Sequence, residues 1–255
     1  MNNRPIAFFD SGIGGSTILK EVFKLLPNEN YVYYPDSFNN PYGNKGREEL
    51  FFIVDRVVSK LMEYNPKLIV CACNTATAMV LDDIRKKYPN MIFVGTEPAV
   101  KVVYDNFKDE NAIILTTKGT GDSEKFGELF NKYKTKNCSL VEAPLLAGLI
   151  ENEGEVYPYL YELLKDYTNV DIVVLGCTHF PLVKKELVRV LGSVKFIDGG
   201  EGIARRVKFL LEENHLFNSA DDGDLDIIGN ENIKKRIESI VYSWFFFMFL
   251  GVLQC

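Results

Sequence analysis

Short apolar runs alternate with amphipathic stretches along the whole of this chain. In the first half, Ile6–Phe9, Tyr31–Tyr34, Leu68–Cys71 and Ile92–Val94 predict strands. Between the first two, Ser16–Leu26 carries apolar residues at 18, 19, 22, 23, 25 and 26, the spacing of one helix face. Glu48–Tyr64 and a stretch near Ala76–Lys87 predict two more helices. The second half repeats the theme, with strands at Ala112–Leu115, Ser139–Glu142, Ile172–Leu175 and Lys195–Ile197 and helices at Ser123–Tyr133, Val156–Asp166 and Leu182–Leu191. Strands bounded by turn residues and separated by helices make βαβ units, hence parallel sheets with helices on both faces. Right-handed crossovers are the default.

The two halves also resemble each other. Leu68-Ile-Val-Cys-Ala-Cys73-Asn-Thr75 leads to a helix, a strand and Gly95, and Ile172-Val-Val-Leu-Gly-Cys177-Thr-His179 leads to a helix, a strand and Gly199. Both cysteine-to-glycine spacings are 22 positions. Duplication implies an α/β fold of two pseudo-symmetric, doubly wound parallel-sheet domains, with the active site in the cleft between them. The first domain is expected over 1–97 plus 206–255 and the second over 98–205. The stretch from Ala204 onward reads as helical and returns to cover the first domain. The tail Ile240–Leu253 is apolar except for Tyr242, Ser243, Trp244 and Gly251. It is shorter than the ~18–20 residues of a spanning helix, so it reads as a buried or dimer-packing terminal helix, with an interfacial anchor as the alternative.

Composition narrows the function. The 255 residues carry a net charge of -6, so no basic excess exists to neutralise a nucleic-acid backbone. With only two histidines, His179 and His215, other groups must carry most acid–base chemistry. Five cysteines without a C-x-x-C pair make neither a disulfide framework nor a zinc ribbon. No signal pattern opens the chain, so a cytoplasmic location is expected.

Cys73 and Cys177 each end a predicted strand just before a helix, the edge where open α/β sheets bind ligands. A helix N-terminus and nearby hydroxyl and amide donors stabilise a thiolate. Either cysteine alone reads as a small buried hydrophobe; two at equivalent positions of a repeat argue for a shared role. Cys71 reads as core. The Gly-rich turn Asp10-Ser-Gly-Ile-Gly-Gly-Ser16 is either an anion-holding loop or a tight β–α turn. It lacks the dinucleotide and Walker spacings. Asp10 at the strand end is placed to orient an amine or assist a proton transfer. The loop Asn39–Asn44 and the cluster Thr116, Thr117 and Thr120 are ligand-contact candidates. Glu151 has no evident partner and reads by default as a solvated acid. His215 reads as a helix-end surface residue.

Matching strand ends of two domains face each other across a cleft. One thiol then approaches a substrate from each side, which suits removal of a proton from one face of a carbon and delivery to the other. Ser11, Asn74, Thr75, Thr117 and Thr178 supply donors where charge develops. No lysine stands in a Schiff-base context.

These segments resemble a known family. Phe9-Asp-Ser-Gly-Ile-Gly-Gly15, Pro41-Tyr-Gly43, Ala72-Cys-Asn-Thr-Ala-Thr77, Gly95-Thr-Glu-Pro-Ala-Val-Lys101 and Leu175-Gly-Cys-Thr-His-Phe-Pro181 are similar, in order, to motifs of the cofactor-independent glutamate racemases. The resemblance implies interconversion of L- and D-glutamate with no organic cofactor and no metal, supplying D-glutamate for peptidoglycan. It implies Cys73 and Cys177 as the two proton-transfer thiols, with Asp10 assisting the first and His179 the second. It places Asp10, Ser11, Tyr42, Gly43, Asn74, Thr75, Thr117, Thr178 and His179 against substrate. Pro41, Thr120 and Glu151 are carried over with them. The chain is expected to be a homo-oligomer, as a dimer, with no need of nucleic acid. Thr116 departs from the family, which commonly has Ala there. The competing readings are a sibling such as an aspartate racemase, and a non-catalytic amino-acid sensor that exchanges no Cα proton.

Overall fold

The computed structural model describes residues 2–219 and 222–243. The first half runs β1 (Ile6–Asp10), α1 (Ser16–Leu25), β2 (Tyr31–Pro35), α2 (Arg47–Met62), β3 (Leu68–Cys71), α3 (Asn74–Met79), α4 (Leu81–Lys87) and β4 (Phe93–Gly95). The second runs α5 (Val100–Asn106), β5 (Ala112–Thr116), α6 (Lys118–Gly121), α7 (Glu124–Tyr133), β6 (Cys138–Glu142), α8 (Leu146–Glu151), α9 (Val156–Leu164), β7 (Ile172–Gly176), α10 (Lys184–Leu191) and β8 (Lys195–Ile197). The chain then adds α11 (Gly200–Glu213), β9 (Leu225–Ile227) and α12 (Glu231–Val241).

Two parallel sheets result, ordered β4-β3-β1-β2-β9 and β6-β5-β7-β8. The central strands alternate between two apolar layers, as the two-residue period of a strand requires. On β1, Ile6 and Phe8 face one core while Ala7 and Phe9 face the other. On β5, Ile113 and Leu115 face one core while Ile114 faces the other. Strands buried on both faces are apolar throughout, which is why they read as continuous runs.

The strand order creates the site. From β1 the chain moves out to β2, then returns to place β3 on the other flank, so β1/β3 is a switch point. The second sheet repeats this with β5 flanked by β6 and β7. Loops leaving neighbouring strands at a switch point diverge and open a crevice. Asp10 ends β1 and Cys73 follows β3 at one such pair of strands, and Thr117 and Cys177 follow β5 and β7 at the other.

Several expectations need correction. The helix near Ala76–Lys87 is two, α3 and α4, broken at Val80, where φ is -136°. The Leu182–Leu191 helix starts as a 3₁₀ turn over Phe180–Val183, with α10 beginning at Lys184. The segment after Ala204 is not all helical, because β9 pairs parallel to β2 and widens the first sheet. It does return as expected: Ile203, Ala204, Val207 and Leu211 of α11 and Ile237 and Val241 of α12 join the core formed by Ile18, Leu19, Val22 and Phe23 of α1. Short helices α5, α6 and α8 escaped prediction because none is long enough to show a 3.6-residue period. The tail assignment lies, from Trp244 onward, outside the described residues. Among the described residues, no helix is long and apolar enough to cross a membrane.

Candidate active site

Cys73 is the N-cap residue of α3, and its Sγ accepts a hydrogen bond from the Ala76 amide at 3.5 Å. It is only 5% exposed. Burial, followed by the negative charge of Asp10, holds its thiol well above the usual range, so Cys73 rests protonated. Cys71 is wholly buried in the core, as expected, and burial pushes its thiol up to about 12.

Cys177, 7% exposed, follows β7 and faces a different environment. His179 Nδ1 lies 3.9 Å from its Sγ. The other ring nitrogen, Nε2, lies 2.8 Å from Glu151 Oε2. Burial by itself would depress the imidazole. Hydrogen bonds to Cys177 and Glu151 outweigh it, and His179 is pushed up to about 10. The ring therefore carries a proton through neutral pH. Burial opposes ionisation of Glu151 too, but the His179 hydrogen bond overrides it and keeps the carboxyl below its usual range.

The default reading of Glu151 as a solvated acid is thereby overturned. It is 8% exposed and accepts hydrogen bonds from His179 Nε2, the Ile13 amide (3.0 Å) and Ser37 Oγ (3.1 Å). The anion-loop reading of the Gly-rich turn changes as well. Its Gly12 and Gly15 amides donate to Asp10 Oδ2, and its Ile13 amide donates to Glu151. Carboxylates of the chain itself already occupy these donors. The glycines serve close approach: a Cβ on Gly14 would stand 2.3 Å from His179 Nδ1, and one on Gly12 would stand 2.3 Å from Glu151 Oε2. The turn after β1 is thus the surface on which the His179–Glu151 pair lies.

Asp10 is fully buried, and desolvation raises its carboxyl against the opposing pull of His179 and the two glycine amides. Its Oδ1 accepts from Thr178 Oγ1 at 3.2 Å, a bond between the two halves of the chain. Its carboxylate oxygens accept from Gly12, Gly15 and Thr178, and it acts on Cys73 through its field. Thr75 Oγ1 lies 2.9 Å from Thr117 Oγ1, and Thr117 Oγ1 lies 3.0 Å from Thr120 Oγ1, joining the loops after β3 and β5. Gly43 packs on Thr117, where a Cβ would stand 3.0 Å from the threonine's own. The buried Tyr42 donates its hydroxyl to Asp36 Oδ2 at 2.7 Å. Asn40 Nδ2 donates to Ser11 O and Oγ, beside Pro41. Asn74 is turned toward Thr96 O at 3.2 Å. Thr116 Oγ1 is buried with no hydrogen-bond partner among the described residues. His215, exposed just past the end of α11 with φ 52°, lies outside this constellation, as expected.

Sequence reading missed Asp36, Ser37 and Tyr33, whose hydroxyl donates to Gly12 O at 2.8 Å. Only the end of a strand leading into the Asn39–Asn44 loop pointed toward them. It also missed Arg236, which had no local signal.

Two parallel sheets with a cysteine after the equivalent strand of each define a duplicated α/β protein. The chain belongs to the Asp/Glu/Hydantoin racemase family, whose model matches residues 30–207. It is 42% identical to a glutamate racemase of Clostridium botulinum (strain Alaska E43 / Type E3), over 92% of this chain and 95% of that one. It is 40% identical to a glutamate racemase of Clostridium acetobutylicum, over 93% and 92%. Among solved structures it is similar to Escherichia coli glutamate racemase in complex with L-glutamate and the activator UDP-MurNAc-ala, with TM-score 0.79, 30% identity and coverage of 94% and 95%. The Francisella tularensis glutamate racemase in complex with D-glutamate gives TM-score 0.78, 26% identity and 94% coverage of each chain.

Proposed function

We propose that this chain interconverts L- and D-glutamate by a two-thiol reaction without an organic cofactor, and so supplies D-glutamate for peptidoglycan. The observation that carries the reading is the placement of Cys73 and Cys177 after equivalent strands of two sheets, each with its own polar support. One sulphur, as thiolate, takes the Cα proton. The opposite thiol gives its proton to the other face, and the sulphurs exchange protonation states. In one direction Cys177 is the base, and in the other it is the donor. His179, protonated and braced by Glu151, is the group that passes a proton to or from Cys177. Asp10 supports the Cys73 side through its charge. Ser11, Tyr42, Gly43, Asn74, Thr75, Thr117, Thr178 and His179 form the substrate surface, with Pro41 and Thr120 at its margin. Hydroxyls and helix-start amides meet the substrate carboxylates, so a net charge of -6 is no obstacle.

The division into 1–97 plus 206–255 and 98–205 belongs to this proposal, as do a cytoplasmic location and a homodimer. Relatives named glutamate racemase at about 40% identity support the substrate over aspartate. Purified protein incubated in heavy water with each enantiomer of glutamate and of aspartate tests the reading. Cofactor-free racemisation of glutamate with deuterium at Cα is expected. Ligand binding without Cα exchange would instead make the protein a sensor.

A further inference from the structure

Helix α12 reaches the site from the far end of the chain. We infer that Arg236, on α12, is a positioning residue for the Cys177 side of the site: it clamps the carboxyl end of α8 and thereby fixes Glu151 against His179. The inference rests on the reading of Cys177 as one of the two proton-transfer thiols.

Helix α8 spans only six residues, and the carbonyls of its last turn have no partner within the helix. Three are closed by the chain that follows, beginning with the Asn152 amide, which donates to Gly148 O at 3.1 Å. The Gly154 amide donates to Leu149 O at 2.8 Å, and the Glu153 amide donates to Ile150 O at 3.3 Å. This closure needs a left-handed residue at position 153, and Glu153 adopts φ 56°, a conformation disfavoured by its Cβ. Arg236 supplies the donor for the fourth, Glu151 O, and a second donor for Ile150 O. Its Nη1 donates to Glu151 O at 2.8 Å, its Nη2 to Ile150 O at 3.4 Å, and its Nε lies 3.2 Å from Glu153 Oε1. One planar guanidinium thus holds both the end of α8 and the strained residue that turns the chain away. Its positive charge also complements the negative end of the helix.

The clamped carbonyl and the working carboxylate belong to the same residue. With the Glu151 backbone held on one side, its Oε2 is aimed at His179 Nε2 and the Ile13 amide on the other. Arg236 is anchored in turn: Ile237 and Val241 of α12 are fully buried against the α1 side of the first sheet, and Asn230 caps the helix at the Ile233 amide. The charged and titratable groups facing His179 are Glu151 from α8, Cys177 from the end of β7 and Asp10 from the end of β1. Glu153 faces Arg236 itself.

The test compares Arg236→Met and Arg236→Lys in the full chain, with a His215→Gln background for NMR so that His179 is the sole histidine. Arg236→Met is expected to lower kcat/KM about tenfold or more, as small misplacements of reacting groups do. Its His179 ring is expected to lose its proton at lower pH than in the parent, because the carboxylate that holds the proton is no longer fixed. Arg236→Lys, which keeps a charged donor, should restore part of both. A folded Arg236→Met protein whose His179 titrates as in the parent would overturn the clamp, whatever its turnover. A parent protein that does not racemise glutamate, yet shows the displaced His179 titration in Arg236→Met, would overturn the proposed function and leave the clamp standing.

Discussion

His179 Nε2 and Glu151 Oε2 meet at 2.8 Å in a pair almost sealed from solvent, and both lie against the glycine turn that follows β1. The histidine follows β7 and the glutamate ends α8, 28 positions earlier. The pair forms an ordered line from carboxylate to imidazole to the sulphur of Cys177. It explains how a chain with two histidines commits one of them to a thiol.

Removing the carboxylate charge tests that line. Glu151→Gln keeps the side-chain shape but takes away the anion that raises His179. The alkaline limb of the pH–kcat/KM profile should move to lower pH, and the maximum should fall about tenfold to a hundredfold. Initial rates from pH 6 to 10.5 would decide; an unchanged limb would mean that His179 does not govern it.

Replacing either sulphur should separate the two faces of the reaction. Cys73→Ser and Cys177→Ser are each expected to lose racemisation by about a thousandfold or more, the scale of a lost acid–base group. Because each variant keeps one thiol, residual deuterium wash-in should favour one enantiomer, and the favoured enantiomer should differ between the two. Equal, near-normal wash-in from both variants would sink the two-thiol mechanism.

Stability should depend on pH through the same imidazole. Its folded value, about 10, lies above the ordinary 6.5. Between these values the folded chain holds a proton that the unfolded chain has lost. The stabilisation is complete below pH 6.5 and is lost as pH rises toward 10, with a slope of about 1.4 kcal/mol per pH unit. The buried thiols of Cys71 and Cys73 add losses of the same sign only near and above their ordinary value of 9.0. Urea unfolding between pH 6.5 and 8.5 should therefore show this slope in the parent, and His179→Gln should flatten it.

Thr116 offers a contrasting prediction on stability alone. Its hydroxyl is buried at the end of β5 without a partner among the described residues. Thr116→Val keeps the volume and removes the unsatisfied group, so it should stabilise the protein by about 1 kcal/mol. Thermal melting should show a higher midpoint. A lower one would mean that the hydroxyl has a partner, such as a bound water.

Local pattern determined much of this protein. Uninterrupted apolar strands, helical spacing in α1 and α2, and the matched positions of Cys73 and Cys177 already imply two parallel sheets with a thiol after one strand of each. Those features depend on neighbours in sequence and on periods of two and 3.6 residues, so they are legible without coordinates. Partnership across long separations was not legible. Glu151 looked solvated because its donors come from Ile13, Ser37 and His179, all distant in the chain. The glycines of the first turn read equally as an anion cradle or a tight β–α turn until the imidazole and carboxylate packed against them appeared. β9 and Arg236 gain their roles only when the last segment folds back onto the first sheet. Only tertiary structure decides such matters, because burial and the field of remote charges set the protonation of a side chain, and the local sequence encodes neither.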